Sequence, residues 1–127
     1  MKLTRLLPKS DIILGLAERI KGKYPVKGHC AYIAKELTAE LLKHEIFAKH
    51  VNGNFHLDEP AAYLFISPKD TDNDEYTIDH DWVEIEGVIV DASAAQFKGY
   101  VNCEIPNIVM ANHTHPLYTR YEFVKYV

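Results

Sequence analysis

The sequence predicts an α+β domain, with N-terminal helices packed on an antiparallel β-sheet. Three observations lead there. Apolar residues recur at helical spacing between Ser10 and Lys43, strand-like runs take over after Ile46, and Asp79 to Asp91 reads as a β-hairpin closed by Glu86-Gly87. With 127 residues the chain has the length of one domain, spanning 1–127, enough to bury a single core.

Met1 to Lys9 carries little pattern. Ser10 then stands as a helix N-cap before Ile12, Ile13, Leu16, Ala17 and Ile20, which share one helical stripe. Gly22 and Pro25 end that helix, and residues 22–28 form a loop leading to Gly28-His29-Cys30. A second stripe follows at Cys30, Ile33, Ala34, Leu37 and Leu41, with Lys35, Glu36, Glu40 and Lys43 on the other side. Ile46 to Val51 reads as a strand ending at Asn52-Gly53-Asn54, and Ala61 to Ile66 as another ending at Ser67-Pro68. Residues 69–75 are polar and turn-forming, an exposed loop without the spacing or closing glutamate of a calcium loop. After the hairpin, Asp91 to Phe97 is a short connection and Tyr121 to Val127 a last strand.

The hairpin has two different faces. A tight Glu86-Gly87 turn pairs Ile85 with Val88, Glu84 with Ile89, Val83 with Val90 and Trp82 with Asp91. Val83, Ile85, Val88 and Val90 then make an apolar face suited to a core, and His80, Trp82, Glu84, Ile89 and Asp91 share the other. His80 and Asp91 become diagonal neighbours, near enough for a carboxylate to orient an imidazole. That geometry would let Asp91 accept the Nδ1 proton and leave Nε2 for a nucleophile. Asp81 falls on the opposite face by alternation. The plainer expectation is a solvated polar face on an ordinary antiparallel hairpin.

Composition excludes several classes. A hydrophobic fraction of 47% and a charged fraction of 25% are those of an ordinary globular chain. A net charge of -4 with scattered lysines offers no field for phosphate backbones, so nucleic acid is not an expected partner. No apolar run approaches the roughly 18–20 residues of a membrane span, and the first residues lack a signal-peptide pattern. Two cysteines, Cys30 and Cys103, are too few for a disulfide framework, and a reducing, cytoplasmic setting is expected.

Cys30 falls in the first turn of the second helix, where unpaired N–H groups and a partial positive charge favour a thiolate. The competing expectation is packing, since a cysteine on an apolar stripe is a common core residue. Cys103 has no such environment in the sequence.

Gly28-His29-Cys30 opening a helix, His80-Asp81-Trp82-Val83-Glu84 on a strand and Val90-Asp91 on the next follow the order Cys, His, Asp. This resembles the transglutaminase-like branch of the papain-like cysteine enzymes, over roughly residues 28–97. The resemblance implies a papain-like α+β fold in which Cys30 is the nucleophile, His80 the general base and Asp91 the group that orients it. It implies cleavage, deamidation or transfer at an amide bond of a protein, peptide or small amide substrate, with no cofactor. Arylamine acetyltransferases share the same logic, so the acyl acceptor stays open.

Two features depart from the family pattern. Asp81 stands between His80 and Trp82 where the family more often has a small or apolar residue, and residues 22–29 lack the glutamine that papain-type peptidases use for the oxyanion. The Cys30 backbone N–H is then the default donor. Tyr24 is a candidate to add its hydroxyl, or a packing residue. Trp82 either walls the cleft or covers the hairpin, and Gln96 either donates to the site or ends the connection.

Two rival functions are to be weighed. His29, His44, His50, His56, His113 and His115 raise a metal site combining His80, Asp91 and a distant histidine, although no pair has the helical spacing of a zinc motif. An inactive papain-like module that binds a protein partner is the other, and thiol reactivity separates it from the enzyme.

Overall fold

A computed structural model describes residues 7–25, 28–60 and 76–127. Two helices, α1 (Ser10–Lys21) and α2 (Cys30–Lys43), pack on a sheet of β1 (Lys49–His56), β2 (Thr77–Ile85), β3 (Val88–Asp91), β4 (Val109–Ala111) and β5 (Tyr121–Tyr126). Every described ladder is antiparallel, and the strand order is β4-β3-β2-β1-β5. The fold is α+β, as expected. The expected strand at Ala61 to Ile66 and loop at 69–75 lie outside the described residues.

The helix stripes fold as read, with local corrections. Ile13, Leu16, Ala17 and Ile20 of α1 are buried, but Ile12 is 40% exposed because it falls on the flank of that stripe. Ser10 is not the N-cap. Lys9 takes that position in a left-handed conformation, and the buried Ser10 hydroxyl donates to Leu7 O. On α2 the inward residues are Ile33, Ala34, Leu37 and Leu41, with Cys30 half-buried at the start.

The hairpin has the expected register: Ile85 opposes Val88, Glu84 opposes Ile89 and Val83 opposes Val90. Glu86 and Gly87 have φ of 50° and 79°, the positive pair of a two-residue turn that matches strand twist. Asn52-Gly53-Asn54 does not end β1, which runs on to His56. A Cβ at Gly53 would collide with Glu122 O of β5 and the Trp82 ring, so this glycine admits a close approach rather than a turn. The β1–β5 register shifts there, with Val124 as the extra residue of a bulge.

Both sheet faces are buried. The helix-side core joins α1 and α2 to Val83, Ile85, Val88 and Val90. The opposite core joins Trp82 and Ile89 to Phe55, Phe97, Val109 and Leu117, so the segments after β3 cover the face that the plainer expectation left to solvent. Trp82 is only 4% exposed. Among the described residues no helix is long and apolar enough to cross a membrane.

Candidate active site

β2 and β3 bring His80 and Asp91 together through strand alternation and the two-residue turn. His80 Nε2 and Asp91 Oδ2 are 2.7 Å apart, and both residues are essentially fully buried. Asp91 is saturated with donors. Its Oδ1 accepts the Ser93 N–H at 2.8 Å and the Ser93 hydroxyl at 3.1 Å, and its Oδ2 accepts from His80 and from the Tyr121 hydroxyl at 2.7 Å. A buried carboxylate is tolerated only when paired and hydrogen-bonded in this way.

The imidazole sits among aromatic rings. Phe55 and Phe97 meet it edge-on with centroids at 5.9 and 4.9 Å, and Trp82 lies tilted at 6.0 Å. Burial opposes a charge on His80, but the Asp91 charge and hydrogen bond, with the Cys30 side chain, outweigh it and push its pKa up to about 10. Burial likewise opposes ionisation of Asp91, yet His80, Tyr121 and the Ser93 N–H hold its carboxyl below the usual range. Burial and then Asp91 push the Tyr121 hydroxyl well above its ordinary pKa, so it remains a donor.

The ring nitrogens are used the other way round from the sequence expectation. Nε2, not Nδ1, meets Asp91, and Nδ1 has no hydrogen-bond partner of ordinary geometry among the described residues. Cys30 is the neighbour beyond Asp91 that raises the His80 pKa, by hydrogen bonding and charge. With Nε2 committed to Asp91, the open Nδ1 is the nitrogen left for the thiol.

Cys30 arrives from the helix side of the sheet, whereas His80 lies on the other. Where the β2–β3 ladder ends, Cys30, Asp81 and Val83 from the helix side and Trp82, Asp91 and Ser93 from the other line one recess, and His80 adjoins it through its bond to Asp91. Cys30 is the first residue of α2, ahead of the first bond of the helix, Ile33 N–H to His29 O at 3.0 Å. Its N–H is thus among the orphan donors of a helix start.

The remaining candidates are placed as follows. Trp82 lines the recess. Tyr24 gives its hydroxyl to Glu36 Oε1 at 2.7 Å and stacks on His29 and Tyr32. Gln96 lies half-buried in a 3-10 turn (Ala94–Phe97), its N–H donating to Ser93 O at 3.3 Å. Asp81 faces away from His80, as alternation requires, and accepts from His50 Nε2 at 2.6 Å and Asn52 Nδ2 at 2.8 Å. Cys103 has a cationic neighbour that the sequence did not reveal, since its side chain lies near enough to Arg120 to act on the guanidinium by charge and hydrogen bonding. Among the described residues, no group of three or more His, Cys, Asp and Glu side chains stands together as a metal site.

Sequence reasoning missed Tyr121, Ser93, Phe55 and Phe97. Ser93 had a local signal, because an aspartate that caps the N–H two residues on is a recurrent turn. Tyr121 had none, being 30 residues from Asp91 in sequence. No family model, curated protein or solved structure matches this chain.

Proposed function

We propose that this chain is a cysteine-dependent acyl-transfer enzyme of the papain-like, transglutaminase-like kind, acting on an amide bond. One observation carries the reading: a buried imidazole, fixed through Nε2 by a saturated carboxylate, keeps Nδ1 open beside a thiol at a helix start.

His80 is held protonated, and Cys30 reacts as the thiolate, the nucleophilic form of a cysteine, beside that imidazolium. Cys30 Sγ attacks the amide carbonyl carbon, and the Cys30 N–H receives the developing oxyanion. His80 then gives its Nδ1 proton to the leaving nitrogen as the C–N bond breaks, producing an acyl thioester and a free amine. Water or an amine attacks the thioester, its proton passes to Nδ1, and the C–S bond breaks to return thiolate and imidazolium. Asp91 remains ionised throughout and holds the ring in one orientation.

The test is trapping with an amide-mimicking electrophile and location of the adduct by mass. A single adduct on Cys30, absent in Cys30→Ser, is expected. An adduct on Cys103 alone, or none, overturns the reading.

A further inference from the structure

Asp91 is held by two sets of donors with different origins. Both Ser93 bonds go to Oδ1 and come from the same short segment as Asp91 itself. Oδ2 is held from elsewhere in the fold, by His80 of β2 and by Tyr121 of β5, each at 2.7 Å. β5 is the edge strand, separated from β3 by β1 and β2, so the Tyr121 side chain spans the buried face to reach the carboxylate. Its ring is pinned on the way by edge-on contacts with Phe55 and Trp82, both at 5.0 Å. Tyr121 is also the only β5 residue that is not exposed.

We propose that Tyr121 is a positioning residue of this site: its hydroxyl fixes Asp91 Oδ2, and through it the imidazole face that His80 turns to Cys30. The proposal rests on the acyl-transfer reading above. Without the hydroxyl, Oδ2 keeps His80 alone, and the carboxylate can turn about the Ser93 bonds and carry the imidazole with it. Tyr121→Phe removes the donor while leaving the ring that packs on Phe55 and Trp82.

The charged and titratable groups acting on Asp91 are His80 from β2, Tyr121 from β5, Lys21 from α1, and Cys30 from α2 through His80. Of these, only Tyr121 is altered by the substitution. Its donation favours the ionised carboxylate, so its loss lets Asp91 take a proton at higher pH.

The experiment measures Cys30 alkylation by iodoacetamide from about pH 4 to about pH 8, with the proton resonance of His80 Nε2–H as the spectroscopic readout. Wild type, Tyr121→Phe, Asp91→Asn and the double variant are compared. For Tyr121→Phe the expected result is a rate at pH 6 about tenfold lower, an acid limb moved to higher pH and a displaced Nε2–H resonance. In the Asp91→Asn background the same change should add nothing, because its route of action is gone. Equal losses in both backgrounds, or an unchanged profile and resonance while wild-type Cys30 stays reactive, overturn the proposal. Failure of the underlying reading looks different: wild-type Cys30 would then react no faster than Cys103. Should Tyr121→Phe fold poorly, 3-fluorotyrosine in place of Tyr121 keeps the ring and strengthens the donor. It should move the acid limb down, and no movement, or movement up, overturns the proposal.

Discussion

Asp91 does two jobs that the sequence alone separates too cleanly. On the hairpin it reads only as the group placed to orient His80. In the fold it is buried with four donors, two on each oxygen, and an asparagine there must put its NH2 group in place of one oxygen, facing two of them. Asp91→Asn is therefore expected to lower turnover, or Cys30 labelling, by roughly a hundredfold or more and to cost about 3 kcal/mol of stability as well. Asp81→Asn is expected to lower the rate less than about tenfold, since Asp81 bonds His50 and Asn52 on the other face. Denaturant midpoints and rates for both variants check this, and a larger rate loss from Asp81→Asn would sink the face assignment. The pairing of His80 with Asp91 was legible because period-two alternation and a two-residue turn fix it locally. The choice of Nε2 over Nδ1 was not, because it depends on where the aromatic rings and Tyr121 hold the imidazole.

Gly53 shows how an element is misread when its neighbours are unknown. Asn-Gly-Asn is a turn signal in isolation, yet here it lies within β1, and the glycine lets β5 and the Trp82 ring close over the strand. Gly53→Ala is expected to destabilise by about 2 kcal/mol or more, because a backbone oxygen stands where the methyl would go. Trp82 is the only tryptophan in the chain, so its fluorescence reports the same event. An unshifted emission maximum with an unchanged thermal midpoint would contradict the close approach. The helices were legible because their apolar spacing is a local property, even where their caps were not. The second core was not, because Phe97 belongs to a single 3-10 turn, Val109 to a three-residue strand and Leu117 to a turn, each too short to carry a periodic pattern.

At the scale of the molecule, the buried His80–Asp91 pair links the site to overall stability. His80 has a folded pKa of about 10 against an unfolded value near 6.5, so between those values the native state binds more protons than the unfolded one. Its contribution is complete below about pH 6.5 and is lost as pH rises toward about 10. Asp91 has its pKa lowered, so its contribution is present above about pH 4 and is lost on further acidification. The two describe one interaction and are counted once. Urea midpoints should therefore form a plateau between about pH 4 and about pH 6.5 and decline on both sides, with the alkaline decline flattened in Asp91→Asn. A midpoint rising steadily from pH 6.5 to pH 10 would contradict the buried pair.

The rates at which the two cysteines alkylate bear most directly on the chemistry, measured together across about pH 5 to about pH 8 and again in His80→Gln. Both thiols have a cationic neighbour, His80 for Cys30 and Arg120 for Cys103, so the dependence on His80 is what separates them. Cys30 should react much faster than Cys103 at pH 6, and the advantage should vanish in His80→Gln while Cys103 is unaffected. Equal rates for the two cysteines in the wild type, or a Cys30 advantage that survives the loss of His80, would contradict the assignment.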